Sequence, residues 1–139
     1  MTVKEKWTEK DFELMGWHDS CIHSISFPPN DNKLILDIDY IFRWELKPED
    51  NLYRFWVSPC ELGFSGISSL KMDLDFGRTA GLDILDITRF NLHESANGTA
   101  QIWTYSIDTD MGVISFEAAG FWQIVKQQPV ISDSQVLSR

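Results

Sequence analysis

A chain of 139 residues with a hydrophobic fraction of 43% can bury one core without disulfide or metal staples, and wholesale disorder is not expected. Its net charge of −9, from 21 acidic and 12 basic residues, argues against nucleic acid and anionic membrane surfaces as partners. The same charge suits a basic protein partner, or simply solubility. We predict a single domain over residues 1–139.

The first 16 residues predict a short helix or arm. Thr8 is suited to cap a helix, Asp11 three residues later resembles a capping box, and Gly16 suits the helix end. No apolar run approaches the length of a membrane span, and the N-terminal residues lack the apolar core of a signal peptide. We therefore expect a cytoplasmic protein, with Cys21 and Cys60 reduced.

Apolar and polar residues alternate along several short segments, which predicts about seven strands. The longest is residues 33–46, with an unbroken apolar face and a mixed face that carries Asp37 and Asp39. Residues 127–139 are polar, and we expect this tail to fray. The predicted strands are residues 21–27, 33–46, 52–57 with a resumption at 61–64 after Pro59, 67–76, 82–90, 99–108 and 113–119. Residues 121–125 continue the last strand past Gly120 or form a helical turn.

The predicted fold class is mostly β. Turns separate the strands at short intervals, and no helix-long periodic segment lies between them, so parallel βαβ units are not expected. We predict an antiparallel sandwich or a curved half-barrel of about seven strands, with a short N-terminal helix.

Trp17, His18 and Asp19 form the first candidate site. A histidine beside an aspartate can act as a general base with an orienting carboxylate. Adjacent residues of a strand point to opposite faces, so His18 and Asp19 can touch only across a turn. The alternative is that Asp19 braces the start of the first strand while His18 packs locally.

Asp37 and Asp39 form the second candidate site. Carboxylates two residues apart on one face of a strand can bind a divalent cation or act as an acid and base pair. A metal needs more oxygen ligands than these two, and no calcium-loop sequence surrounds them, so we predict no metal and no cofactor. The alternative is a solvated face, with the carboxylates paired to Arg43 or to a basic residue of a neighbouring strand.

A wider pattern of aspartates runs along the predicted strands. If the outer faces of these strands align, the sheet presents an acidic surface that attracts a basic protein. The alternative is a charged face that discourages aggregation through sheet edges. The residues concerned are Asp37, Asp39, Asp73, Asp75, Asp83 and Asp86.

The segment from Gly16 to Ser20, GWHDS, followed by LILDIDYIFRW, resembles the opening of small bacterial proteins of unknown function. Some proteins of that kind are grouped with the immunity proteins of polymorphic toxin systems. The resemblance covers about the first third of the chain, with a weaker echo at GVISFEAAGFWQ. It implies an α+β or mostly β domain that binds and blocks a toxin, and it assigns no functional residue.

These observations favour a non-enzymatic protein-binding domain, immunity-like, with an acidic sheet face. The sequence contains no GxSxG, P-loop, HExxH or dinucleotide-binding motif. Two alternatives stay open. One is a small enzyme or ligand-binding module that uses His18 and Asp19 with Asp37 and Asp39. The other is a structural subunit that oligomerises through its sheet edges.

Overall fold

The computed structural model describes residues 1–139 and contains ten strands and one 3₁₀ helix. The strands are β1 (Lys6–Thr8), β2 (Cys21–Ser26), β3 (Lys33–Lys47), β4 (Leu52–Ser65), β5 (Ser68–Leu74), β6 (Ile84–Glu94), β7 (Gln101–Thr109), β8 (Gly112–Ala118), β9 (Gly120–Val125) and β10 (Val130–Ser132). The 3₁₀ helix spans Glu9–Leu14. The structure has three strands more than the seven predicted. They are β1, β10 and β9, which is a strand separate from β8.

The strands form two antiparallel sheets that pack face to face, so the predicted antiparallel sandwich is confirmed. The six-stranded sheet has the order β1-β9-β4-β3-β2, and β10 pairs with β4 beside β9. The four-stranded sheet has the order β5-β8-β7-β6. Every strand pair is antiparallel.

The core lies between the two sheets. The apolar face of β3 supplies Leu34, Leu36 and Ile38, all fully buried, as the alternation of the sequence predicts. The four-stranded sheet faces them with Ile107 and Ile114, which are also fully buried. Twenty buried residues form this one cluster, so both sheets depend on the same core.

The short N-terminal helix is present where the sequence predicts it. The Thr8 N–H donates to Asp11 Oδ2 at 2.9 Å, which satisfies one free donor of the first turn. Asp11 also accepts from Lys4 Nζ at 2.7 Å. Phe12 is buried and holds the helix against the core.

β4 runs without a break from Leu52 to Ser65, although Pro59 predicts an interruption. The Pro59 carbonyl accepts from the Lys126 N–H at 2.9 Å, so the Pro59 nitrogen faces the same side of β4. On that side β4 pairs with β10 up to Val57 and with β9 from Cys60 onward. The missing N–H therefore falls between two partner strands, where no strand hydrogen bond is lost.

The chain changes sheets between β8 and β9. Ala118 ends a strand of the four-stranded sheet, and Gly120 begins a strand of the six-stranded sheet. Residues 121–125 therefore form a strand, as in one of the two predicted alternatives, and not a helical turn. This strand belongs to the opposite sheet from β8 and does not continue it. Gly120 is required by close packing, because a Cβ there would lie 2.3 Å from Ser65 Oγ.

A bulge in β6 reverses its alternation. Ile84 pairs with Thr109 and Asp86 pairs with Asp108, so β6 contains one residue more than β7 at this point. Ile84 and Ile87 are consequently both buried in the core. Under strict alternation over residues 82–90 these two isoleucines would lie on opposite faces, and the bulge brings both to the same face.

Candidate functional site

Trp17 belongs to the core and not to an exposed binding site. It is 1% exposed and packs against Phe12, Tyr40 and Phe121. Its Nε1–H donates to Gln123 Oε1 at 2.8 Å, which satisfies the indole in the interior. The prediction that Trp17 takes part in binding is therefore corrected: its role is to fill the space between the sheets.

His18 and Asp19 meet across a turn, the one geometry in which the sequence allows them to touch. Asp19 has a φ of 67°, and His18 Nε2 lies 3.6 Å from Asp19 Oδ2. The side chain of His18 is 68% exposed, and its ring stacks on Trp44 with 6.5 Å between ring centroids. Asp19 Oδ2 also accepts from Gln135 Nε2 at 3.1 Å.

Asp39 is a fully buried carboxylate with three partners. Oδ2 accepts from the Leu137 N–H at 2.9 Å and lies 2.7 Å from His23 Nε2. Oδ1 accepts from Arg139 Nη2 at 2.6 Å. A buried carboxylate is expected to be paired and hydrogen-bonded, and each oxygen of Asp39 has a partner.

Asp37 lies on the same face as Asp39, and its charge is also balanced by basic side chains. Lys126 Nζ donates to Asp37 Oδ1 at 2.8 Å, and Arg139 Nη1 lies 2.9 Å from both carboxylate oxygens. Partial burial raises the pKa of Asp37, but the hydrogen bonds from Lys126 and Arg139 outweigh it and hold that pKa below its ordinary value. Asp37 is therefore ionised at neutral pH.

Arg43 does not pair with either of these aspartates. Its guanidinium lies 3.5 Å from Glu45 on the same strand and is largely exposed. The basic partners of Asp37 and Asp39 come instead from His23, Lys126 and Arg139, three residues outside the predicted site. His23 lies at a bulge of β2, between Ile22 and Ser24, which the alternation of the sequence does not show.

Residues 127–139 have defined partners in the structure, in contrast to the predicted frayed tail. β10 pairs with β4 through Val130, Ile131 and Ser132. The seven residues that follow, Asp133–Arg139, cross the outer face of the six-stranded sheet, and we call them the strap. Their polar composition predicts fraying. Local sequence patterns do not predict their contacts with Asp37 and Asp39, which lie far away along the chain.

The largest cavity lies beside the strap and not beside His18. It has a volume of about 300 Å³ and is lined by Pro59, Lys126, Gln127, Leu137, Ser138 and Arg139. A smaller cavity of about 150 Å³ is lined by Arg54, Ile131, Ser132 and Asp133. The alternative catalytic hypothesis needs His18, Asp19, Asp37 and Asp39 to converge in a pocket, and none of the four lines either cavity.

The two cysteines are free thiols with raised pKa values. Burial, followed by the charges of Asp83 and Asp39, raises the pKa of Cys21 to about 11. Burial raises the pKa of Cys60 to about 12. Both thiols are therefore protonated at neutral pH, whereas a reactive cysteine needs a lowered pKa.

Three aspartates lie in one row across the four-stranded sheet. Asp73 pairs with Val113, Val113 with Asp108, and Asp108 with Asp86. Residues directly opposite each other on neighbouring strands share a face of the sheet. Val113 is 40% exposed while the adjacent Ile114 is fully buried, so the row lies on the outer face. We call Asp73, Asp86 and Asp108 the acidic row.

The acidic row has no basic partner. None of the ion pairs in the structure includes Asp73, Asp86 or Asp108. Asp75 and Asp110 follow two residues after members of the row and are exposed, also without ion pairs. This end of the four-stranded sheet therefore concentrates negative charge that the fold does not neutralise.

Asp83 adds to the negative charge beside the acidic row. Its N–H donates to Asp110 Oδ1 at 2.9 Å. Burial raises the pKa of Asp83, and the charges of Asp110 and Asp19 raise it further. Burial is the larger cause of this shift, and the neighbouring carboxylates act in the same direction.

The six aspartates of the sequence pattern thus do not form one surface, and that expectation is corrected. Asp37 and Asp39 lie in the six-stranded sheet, whose outer face points away from that of the four-stranded sheet. Asp73 and Asp86 belong to the acidic row. Asp108, which the sequence pattern did not include, completes the row.

Asp86→Asn should stabilise the fold. Asp86 lies directly opposite Asp108, and like charges at directly opposed positions are destabilising, so removing one charge should raise the free energy of unfolding by about 0.2–1 kcal/mol. Urea unfolding at low and high salt measures the gain. Asp31→Asn is the control, because Asp31 already pairs with Lys33 at 3.1 Å. A gain that is absent, or that persists in 1 M salt, would contradict repulsion in the row.

Comparison of the chain with protein-family models, with curated proteins and with solved structures gave no match. No helix has the length and apolar character needed to cross a membrane.

Proposed function

We propose that the chain is a non-enzymatic protein-binding domain, immunity-like, that meets a basic partner with the outer face of its four-stranded sheet. The observation that carries the proposal is the acidic row: Asp73, Asp108 and Asp86 lie on one outer face, with Val113 between the first two, and none has a basic side chain in contact. On the other sheet, by contrast, Asp37 and Asp39 are paired with basic side chains.

The energetics of the row support a role outside folding. Unpaired like charges across a sheet weaken the folded state, and a single lysine or asparagine would relieve the repulsion. Proteins retain locally destabilising arrangements at functional sites. A partner that brings lysine or arginine to this face would remove the repulsion and would be drawn to it at an enhanced rate.

The surface around the row suits a polar interface. The next row along the same sheet pairs Lys71 with Ser115, Ser115 with Ser106, and Ser106 with Thr88. Lys71 is the one basic residue of this row, and the other three carry short hydroxyl side chains, of which Ser106 Oγ donates to Asp108 Oδ1 at 2.9 Å. The face therefore offers charge for steering and hydroxyls for hydrogen bonds to a partner.

The test uses the protein encoded next to the gene of this chain, because immunity proteins and their toxins are expected to be neighbours. Binding is measured by biolayer interferometry at 50 and 300 mM salt. We expect the combined Asp73→Asn, Asp86→Asn and Asp108→Asn variant to weaken binding at least tenfold, mainly through the association rate.

The matched control neutralises three exposed acids of equal charge outside the row, with Asp31→Asn, Glu49→Gln and Asp50→Asn. These residues lie in the turns at either end of β3. We expect this variant to bind within about twofold of the unmodified chain. Equal loss in both variants, or binding that ignores salt, would overturn the proposal that the acidic row makes the contact.

A further inference from the structure

The strap occupies a continuous track on the outer face of the six-stranded sheet. Asp37, Asp39 and Ile41 lie on this face of β3 at every second residue. Beyond the bulge after Ile41, the same face continues with Trp44 and Leu46, which pair with residues of β4. The track therefore begins with two carboxylates and becomes apolar toward the β3–β4 turn.

Arg139 is bound to the acidic end of the track. Its Nη1 lies 2.9 Å from both oxygens of Asp37, and its Nη2 donates to Asp39 Oδ1 at 2.6 Å and to the Ile38 carbonyl at 3.2 Å. A planar guanidinium suits two carboxylates and a carbonyl, whereas the ammonium of lysine cannot make the same set of contacts. This end of the track is built to hold an arginine.

Leu137 is bound to the middle of the track. Its N–H donates to Asp39 Oδ2 at 2.9 Å, so one buried carboxylate fixes both the backbone at Leu137 and the side chain of Arg139. The Leu137 side chain packs on a small separate cluster of buried residues, Ile41, Phe55 and Val57. The track therefore recognises an aliphatic residue two positions before an arginine.

The track extends further than the strap covers. Tyr53 lies two residues from Phe55 on β4 and therefore shares its face, and Trp44 and Leu46 pair with Phe55 and Tyr53. Trp44, Leu46 and Tyr53 are each at least 42% exposed, and Trp44 packs on Tyr53 and Phe55 with ring centroids 6.0 and 5.0 Å apart. An exposed aromatic surface beside a buried cluster is typical of a binding site.

The strap makes few apolar contacts with the track. Its sequence, DSQVLSR, has one aliphatic side chain packed on the buried cluster, and its other anchors are polar. Asp133 pairs with Lys47 at 3.0 Å and Gln135 with Asp19 at 3.1 Å, and Asp133 is largely exposed. These exposed contacts contribute little stability, so the strap is held mainly by Arg139 and Leu137. A ligand can displace it if it makes the same arginine and leucine contacts and adds more apolar contact.

We infer that the track binds an extended segment of a partner protein that carries an arginine two residues after an aliphatic residue, with further apolar side chains toward Trp44 and Leu46. The strap is the resident competitor, since it makes the arginine and leucine contacts from within the same chain. Charge complementarity with Asp37 and Asp39 selects the arginine. This site lies on the opposite sheet from the acidic row. A failure of the proposed function would therefore not contradict this inference, and a failure of this inference would not contradict the proposed function.

The test is binding of a labelled peptide to the full chain, measured by fluorescence anisotropy. The probe has the sequence of residues 132–139, SDSQVLSR, with both ends blocked. A tethered strap acts at a millimolar effective concentration, so the unmodified chain should bind the probe poorly. The Arg139→Gln chain, with its own strap weakened, should bind the probe at least tenfold more tightly.

Two controls identify the contacts. A probe with glutamine in place of its arginine should lose at least tenfold in affinity for the Arg139→Gln chain. Arg43→Gln makes the same change at an arginine of β3 that pairs only with Glu45, and this chain should bind the probe as poorly as the unmodified chain. If Arg139→Gln fails to fold by circular dichroism, Leu137→Ala opens the strap instead and should give the same gain.

Three results would overturn the inference. Equal binding of the probe to the opened and unmodified chains would show that the strap does not compete for the track. Equal binding of the arginine and glutamine probes would show that Asp37 and Asp39 do not select arginine. A concentration-dependent dimer of the opened chain in sedimentation, without probe binding, would show that the track takes the strap of a second copy.

Discussion

Ile38→Asp is expected to leave the chain unfolded at 25 °C. Ile38 is fully buried, pairs with Ile22 of β2 and Cys60 of β4, and belongs to the core that both sheets share. The substitution removes about 2–5 kcal/mol of packing and adds several kcal/mol for a buried carboxylate without a partner. The sum is comparable to the whole stability of an average domain, about 5–15 kcal/mol.

The measurement is far-ultraviolet circular dichroism with thermal unfolding of the purified variant. Leu46→Asp is the control, because it makes a similar change on the same strand at a side chain that is 50% exposed. We expect this control to fold, with a loss below about 1 kcal/mol. A soluble Ile38→Asp variant with a cooperative transition would show that β3 does not face the core as the structure has it.

β3 illustrates what the sequence could predict. Leu34, Leu36 and Ile38 share one face of a long segment whose other face is mixed, and this period of two decides both the strand and its buried face. The same argument yields the antiparallel sandwich, because short turns between alternating segments leave no room for crossover helices. Local patterns were sufficient wherever one residue in two faced the core.

β6 and the crossing at Gly120 illustrate what local patterns could not decide. The bulge after Ile84 adds one residue and reverses the face of the residues that follow, Arg89 included, as far as a second register shift between Phe90 and His93. The change of sheet between Ala118 and Gly120 shifts the buried positions from even-numbered to odd-numbered residues, a break in alternation that a bulge within one strand would also produce. Both features depend on packing against distant strands.

The candidate sites show the same limit. Asp37 and Asp39 could be recognised as a pair from their spacing, but their basic partners lie far along the chain: Lys126 is 89 residues from Asp37, and Arg139 is 100 residues from Asp39. The acidic row needs the register of four strands, which the sequence does not specify across the sheet. Asp108 was missed because its role depends on lying opposite Asp86.

Arg89 gives the second large prediction. Its side chain is 8% exposed and forms ion pairs with Glu9 and Glu13 of the 3₁₀ helix. The guanidinium lies between two rings, 4.2 Å from the centroid of Phe12 and 4.5 Å from that of Trp103. One residue of the four-stranded sheet therefore holds the N-terminal helix in place by charge and by stacking.

Arg89→Ala should lower the free energy of unfolding by about 2–4 kcal/mol, since it removes both stacking contacts and leaves Glu9 without its cation. Arg89→Lys should recover less than half of this loss. A compact ammonium can approach one carboxylate, but it cannot stack between Phe12 and Trp103 as a flat guanidinium does. Urea unfolding followed by tryptophan fluorescence measures all three chains.

Arg78→Ala is the matched control, because Arg78 is exposed and forms no ion pair, and its removal should change stability by less than about 0.5 kcal/mol. If Arg89→Lys proved as stable as the unmodified chain, charge alone would account for the role of Arg89. If Arg89→Ala lost no more than Arg78→Ala, the N-terminal helix would not depend on Arg89. The intermediate result, a large loss that lysine only partly restores, is expected for a guanidinium that stacks between two rings and pairs with two carboxylates.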